Sequence, residues 1–354
     1  MAGRQDSQTG RPEAAGAAWD GPGDEREATL EVHLRPRTMD EFVGQRGVVE
    51  NLELAVTAAR GRGEALDHVL LCGLPGLGKT TLAHLVADRM GGHLHEAAAP
   101  VLTRAADLAG LLTRLERGDV LFIDEVHRLP PAVEEYLYAA MEDFVLDIVL
   151  DQGPSARSLR IDLPRFTLVG ATTREGMLSA PLRDRFVIRE RLEPYPVDAL
   201  ASIARRTADL LGVEMDEQGA LWLARRARGT PRVVNRFVRR VRDLAQVEGE
   251  GRITEALARD GLARIGVDED GLDRLDRHVL TALSRAGGRP LGLKTIAAAV
   301  GEDERTLEDV CEPHLLREGY LVKTPQGRQL TPRGWLLLGG TPPASEATYP
   351  LPLG

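Results

Sequence analysis

The sequence predicts an α/β protein: a mostly parallel sheet with helices on both faces, followed by a helical region and then by three helices closed with a hairpin. Three observations carry this reading. Residues 73 to 80 read Gly-Leu-Pro-Gly-Leu-Gly-Lys-Thr, a complete G-x-x-x-x-G-K-T loop set between a short apolar run and a segment of helical spacing. A second apolar run, Val120-Leu121-Phe122-Ile123, ends in the carboxylate pair Asp124-Glu125. Beyond residue 197 the strand signal fades, and it returns only near residue 320.

The elements follow in order. His68 to Cys72 is apolar and bounded by glycine, as expected of a buried parallel strand, and Thr81 to Ala87 carries helical apolar spacing. Between them Gly73, Gly76 and Gly78 let the backbone curl so that N–H groups at a helix N-terminus face a polyphosphate. Lys79 adds a point charge there, and Thr80 offers a hydroxyl to Mg²⁺. Asp124, at a strand end, is suited to hold that Mg²⁺ through water, while Glu125 is suited to polarise an attacking water. Glycine-rich turns and acidic strand ends each occur in proteins that bind no nucleotide. In this order and context the two together point to ATP binding and hydrolysis. Residues 68–72, 119–123 and 166–171 are the clearest strands, and the active site is expected at their C-terminal ends.

Composition bounds the rest. With 354 residues, 43% of them hydrophobic, the chain has room for two or three domains with real cores. No apolar run approaches the roughly 20 residues needed to span a bilayer, and Met1 to Asp6 lacks the apolar core of a secretion signal, which points to the cytoplasm and away from a membrane. Cys72 and Cys311 read as buried thiols in a reducing compartment. His93 and His95 form an H-x-H without a third ligand in sight. The net charge of −9 argues against a surface coated in positive charge, so any contact with DNA must be local.

These patterns divide the chain into a leader without periodicity (1–29), a large α/β domain (30–196), a small domain helical throughout (197–266), a winged-helix outline (267–338) and a tail (339–354). The small domain carries eight arginines between Leu221 and Arg242 and no acid, most of them read as a solvated helix face. In the last domain helices are expected at 274–283, 293–300 and 306–318, then strands at 320–323 and 328–330 around a 324–327 turn. Residues 317 to 333 hold Arg317, Lys323, Arg328 and Arg333 against Glu318 alone, a local charge of +3. Lys323 and Arg328, flanking the turn, are the candidate DNA-phosphate contacts.

Leu34 to Gln45, Gly73 to Thr81, Phe122 to Leu129, Met141 to Phe144, Gly170 to Arg174, Pro181 to Phe186 and Gly229 to Arg232 together resemble the RuvB family, bacterial motors of Holliday-junction branch migration. The likeness runs from about residue 30 to 335. It implies an AAA+ P-loop ATPase with a parallel sheet, a small all-α lid and a C-terminal winged helix, working as a homohexamer on double-stranded DNA and Holliday junctions. In that light Leu34 and Arg35 border the adenine, and Gly76, Lys79, Thr80 and Thr81 hold phosphates and Mg²⁺. Glu142, Asp143 and Phe144 are further nucleotide contacts, and Thr173 orients the lytic water. Arg185 is the arginine finger given to a neighbouring subunit, although the sequence alone does not choose between Arg183 and Arg185. Tyr195 and Arg232 contact the subunit's own nucleotide. The resemblance also implies RuvA as a partner and the RuvC resolvase as a further one. An ATP-gated DNA-loading or initiator switch is the alternative reading of an AAA+ domain joined to a winged helix.

Between the two motif strands, Leu146, Ile148 and Leu150 alternate with Asp147, Val149 and Asp151, and the alternation resumes at Leu159, Ile161 and Leu163. This predicts a β-hairpin over 145–163 with an apolar face suited to a partner. The resemblance makes that partner RuvA, and internal packing is the competing reading. Two positions depart from the family: Gln326 stands where the wing turn usually carries a basic residue, and Glu175 where a small residue is usual.

Overall fold

In the computed structural model, which describes residues 33–149 and 158–343, the chain forms two compact units, one spanning Arg35–Asp273 and the other holding the residues from Arg274 onward. The expected leader, the chain beyond residue 343 and the hairpin tip lie outside the described residues.

The first unit begins with α1 (Arg46–Arg62), which buries Val48, Leu52, Val56 and Ala59, a single face at helical spacing. β1 (Val69–Cys72) is buried throughout and leads through the glycine loop into α2 (Lys79–Met90). Next come β2 (Leu94–Ala98), α3 (Ala105–Leu112), β3 (Val120–Asp124) and α4 (Pro131–Glu142). A hairpin of β4 (Val145–Val149) and β5 (Ser158–Asp162) follows, then β6 (Thr167–Thr172), α5 (Ala180–Asp184) and β7 (Ile188–Arg191). The five main strands are all parallel in the order β2-β3-β6-β1-β7. The central strands β3, β6 and β1 are buried almost throughout, as a sheet covered on both faces requires, while the edge strands β2 and β7 are partly exposed. The order has one consequence for function: β6 lies between β1 and β3, so its C-terminal end emerges between the glycine loop and the carboxylate pair.

The strands expected at 68–72, 119–123 and 166–171 each begin one residue later, and His68 and Phe166, just ahead of two of them, pack ring against ring. The hairpin pairs Val145 with Asp162 and Leu146 with Ile161. Its base is not an open apolar face: Leu146 is fully buried, and Ile161 packs on the same core as Leu121, Leu137 and Phe166. Leu159, two pairs farther out, is exposed.

The same unit continues with α6 (Val197–Leu210), β8 (Glu214–Met215), α7 (Glu217–Arg226), α8 (Pro231–Glu248), β9 (Arg252–Ile253) and α9 (Glu255–Arg264). The region is therefore not helical throughout, since β8 and β9 form a two-residue parallel ladder that ties the ends of two loops together. The long helix α8 buries Val234, Phe237, Val238, Val241 and Ala245, which leaves its arginines on the remaining faces.

The second unit contains α10 (Arg274–Arg285), α11 (Leu293–Val300), the short α12 (Glu304–Thr306) running through a π segment (Leu307–Cys311) into α13 (Glu312–Arg317), and a hairpin of β10 (Leu321–Thr324) and β11 (Gly327–Leu330). Thr324 and Gly327 pair in the ladder, so the turn is Pro325-Gln326 alone. Leu291 bridges to Arg328 as a third, one-residue strand. A last helix, α14 (Pro332–Leu337), was not anticipated. Cys72 and Cys311 are both buried free thiols, and burial pushes the Cys72 thiol up to about 12. Among the described residues no helix is long and apolar enough to cross a membrane.

Candidate active site

The loop after β1 is shaped by backbone that only glycine adopts readily. Gly76 and Gly78 stand at φ +76° and +103°. A Cβ on Gly76 would lie 2.8 Å from Thr230 and 2.9 Å from Arg232, so the helical region closes onto the loop here. Arg232 N–H reaches the Gly76 carbonyl at 3.4 Å. Lys79 is buried, and its Nζ donates to the carbonyls of Gly73 at 2.7 Å and Leu74 at 3.0 Å. Burial lowers its pKa and Asp124 and Glu125 work the other way, so the ammonium is desolvated and ready for an anion of higher charge. Thr80 and Thr81 occupy the first turn of α2, where unpaired N–H groups gather.

Across β6, Asp124 ends β3 and its Oδ1 accepts the N–H of Glu125 at 2.9 Å. Glu125 turns out of the strand at φ +52°, a conformation uncommon for a residue with a side chain. Its Oε2 accepts the Thr173 hydroxyl at 3.1 Å and lies 3.2 Å from His127 Nδ1. Lys79, Asp124, Glu125 and Thr173 are thus gathered at the C-terminal edge of the sheet, at or just beyond the ends of three adjacent strands.

Gln45, inside the first family motif, and Tyr195, an expected nucleotide contact, link the site to the helical region. The Gln45 side chain donates to the Glu193 carbonyl and accepts the Glu193 N–H at 3.1 Å. Tyr195 donates its hydroxyl to the Leu77 carbonyl at 3.0 Å, and its N–H reaches the Gly229 carbonyl at 2.9 Å. Burial raises the Tyr195 pKa. Arg35 contacts His84 Nε2 at 2.8 Å on α2, and Leu34 is buried.

Glu142, Asp143, Phe144 and Arg185 are not brought to this loop. Ile188 N–H meets the His68 carbonyl ahead of β1, which places Arg185 at the N-terminal edge of the sheet. Its Nη2 donates to Glu142 Oε2 at 3.0 Å, its Nη1 to the Pro181 carbonyl at 2.7 Å, and its guanidinium lies 4.3 Å over the Tyr138 ring. Phe144 packs edge-on against Phe166 and near His68 at that same edge. Within one chain these four residues therefore form a second cluster, separated from Lys79 by the length of β1, about 13 Å.

Glu175, the departure after Arg174, forms an ion pair with Arg191, so its charge is answered within the fold. His95 pairs with Asp119 at 2.9 Å. In the second unit the expected DNA contacts share an acid that the sequence window omitted. Glu312 is buried and accepts from Arg328 and from Lys323, the latter at 2.7 Å. Burial opposes its charge, but hydrogen bonds from Arg328 and Lys323 outweigh that and hold the carboxyl below its usual range. Arg328 is mostly buried in this pair, whereas Lys323 is nearly half exposed. In the chain without DNA, Arg328 thus braces the wing through its pair with an internal carboxylate.

A phosphate loop and a paired-carboxylate strand flanking a polar strand end, closed over by a helical lid, define an AAA+ ATPase. Family models described as the Holliday junction DNA helicase RuvB P-loop domain, the RuvB AAA lid domain and the RuvB C-terminal winged helix domain match residues 34–192, 195–268 and 269–339. Proteins named Holliday junction branch migration complex subunit RuvB are 58% identical in Myxococcus xanthus, over 89% of this chain and 92% of that one, and 53% identical in Salinibacter ruber, over 91% and 94%. The structure of the Thermotoga maritima RuvB branch migration motor superposes with a TM-score of 0.80 at 46% identity, covering 88% of this chain and all of that one. The chain belongs to the RuvB family.

Proposed function

We propose that the chain is an ATP-driven DNA motor that, with RuvA, drives branch migration of Holliday junctions in recombination and repair. The observation that carries the mechanism is the split of the machinery between two sheet edges. Lys79, Glu125 and Thr173 stand at one edge and Arg185 at the other, so Arg185 serves a nucleotide held by a neighbouring copy. A closed ring, a homohexamer in this family, gives every site such a neighbour and makes hydrolysis depend on assembly.

At each site Gly76, Lys79, Thr80 and Thr81 hold the phosphates, with Leu34, Arg35, Tyr195 and Arg232 around the rest of the nucleotide. The Thr80 hydroxyl and the Asp124 carboxylate are hard oxygen donors of the type that Mg²⁺ takes. Mg²⁺ held there would offset charge on the transferring phosphoryl group. Glu125, braced by Thr173, orients and polarises the attacking water. Glu142, Asp143 and Phe144, clustered with Arg185, reach the neighbour's nucleotide and not their own. RuvA docks on the 145–163 hairpin, whose base belongs to the core and whose outer part exposes Leu159. Lys323 meets duplex phosphates, the RuvC resolvase acts on the same junctions, and the protein works in the cytoplasm. The test is migration of a synthetic four-way junction with ATP and RuvA. Strand exchange over many turnovers supports a motor, while a single ATP-dependent loading event without migration supports the initiator-type switch instead.

A further inference from the structure

The imidazole of His127 is tied to the acid that the reaction uses. It lies in the turn Val126–Arg128 directly after Glu125 and is nearly all buried, with 6% of its side chain exposed. An imidazole so buried needs partners for its polar nitrogens. Its Nδ1 lies 2.8 Å from Thr172 Oγ1 and 3.2 Å from Glu125 Oε2. A lone pair on Nδ1 would face the carboxylate and be repelled, so the proton belongs on Nδ1, bonded to Thr172 Oγ1 and beside the Glu125 carboxylate. Thr172 is itself anchored, since its Oγ1 accepts the Arg174 N–H at 3.0 Å.

We propose that His127 is a positioning residue for Glu125. The proposal rests on the ATPase reading given above. Glu125 leaves the strand in a left-handed backbone conformation, uncommon for a residue with a side chain, which turns its carboxylate out of the strand. Two groups hold it there. The Thr173 hydroxyl donates to Oε2, and His127 Nδ1, bonded to Thr172 Oγ1, stands 3.2 Å from the same oxygen. Among the described residues no hydrogen bond is made to Oε1, so that oxygen is presented to a water. A charge-assisted bond from a buried donor fixes direction as well as distance, and orientation of a general base is what a hydrolytic step needs. The effect passes through Glu125, whose carboxylate lies beside the imidazole.

The test uses the full chain and its His127→Ala, His127→Asn and His127→Gln variants, assayed for ATP turnover on a synthetic four-way junction, for binding of fluorescent ADP, and for thermal melting. An asparagine amide nitrogen falls close to where Nδ1 stands, whereas the glutamine nitrogen falls nearer the place of Nε2. Loss of the positioning bond in His127→Ala should lower kcat on the order of tenfold to a hundredfold, the usual cost of removing an outer-shell partner. ADP affinity and KM should stay within about twofold. His127→Asn should recover most of the turnover and His127→Gln should not. A role in packing alone predicts the reverse, because glutamine better fills the imidazole's volume. Asparagine performing no better than glutamine, or a loss confined to nucleotide affinity, overturns the proposal. Turnover of the unsubstituted chain in the same series tests the ATPase reading separately.

Discussion

Arg185 Nη2 meets Glu142 Oε2 at 3.0 Å within one chain, at the sheet edge opposite the phosphate loop. Glu142 is 58% exposed, so a pair of this kind contributes only about 0–1 kcal/mol. Among the described residues the buried Arg185 Nε has no hydrogen-bond partner. The tie to Glu142 is therefore weak enough to be exchanged for a stronger anion, such as the terminal phosphate that the proposed neighbour would present.

Arg185→Ala should bind nucleotide normally and lose hydrolysis, since an arginine supplied from a neighbour contributes roughly 10³ to 10⁵ in rate in comparable phosphoryl-transfer systems. Mixing it with Lys79→Ala should restore part of the activity, at interfaces that join an intact Lys79 to an intact Arg185. Assembled mixed rings with no recovery would show that Arg185 acts within its own chain.

Lys79→Ala should abolish nucleotide binding, because the variant removes the desolvated charge that the loop presents. Glu125→Gln should bind ATP and barely turn it over, as it keeps the bond from Thr173 while losing the base. Equilibrium binding of a fluorescent nucleotide, read beside single-turnover hydrolysis, separates the two, and normal turnover by Glu125→Gln would remove its assigned role.

Lys323→Ala and Arg328→Ala should differ in kind. Lys323, the exposed member, should flatten the salt dependence of log K for duplex DNA by about 0.9 units of slope on every sequence. Arg328, engaged with Glu312, should change the slope little and lower the melting temperature of the second unit. Equal slope changes in the two variants would mean that Arg328 leaves Glu312 when DNA binds.

Glu312 gives a pH signature. Its carboxyl is held below the ordinary value, so it contributes stability fully above the unfolded pKa of about 4.3 and loses that contribution as pH falls through the lower folded pKa. Replacing it with glutamine leaves the mostly buried Arg328 unpaired, at a cost of about 3 kcal/mol near neutral pH. Thermal melts of the two chains should therefore differ most at pH 6 and converge toward pH 3. A gap independent of pH would mean the carboxylate charge is not what stabilises the wing.

The phosphate loop and the carboxylate pair were legible because each is a local pattern with a local cause: glycine backbone, a helix start, an acid at a strand end. What escaped the sequence is long-range. Glu312 lies five residues before the window that counted +3, and only the fold brings it beneath Lys323 and Arg328. The β8–β9 ladder, two residues per strand, is too short to leave a periodic signal. The alternation in β4 and β5 was real, but Leu146 and Ile161 face the core, so pattern alone overstated the free apolar face. For α14 a signal did exist, in Thr331 as N-cap and Pro332 in the first turn.

The connector between sheet and helical region has a mechanical character. Leu192 is bonded to Cys72, Glu193 is gripped twice by the Gln45 side chain, and Tyr195 is pinned to both Leu77 and Gly229. Bending the chain over these residues would break several hydrogen bonds at once, each contributing about 1 kcal/mol. The segment therefore behaves as a stiff lever. A shift of the loop backbone at Leu77 is carried through one phenol ring into the first turn of the helical region, whose tilt becomes a gauge of what the loop is gripping.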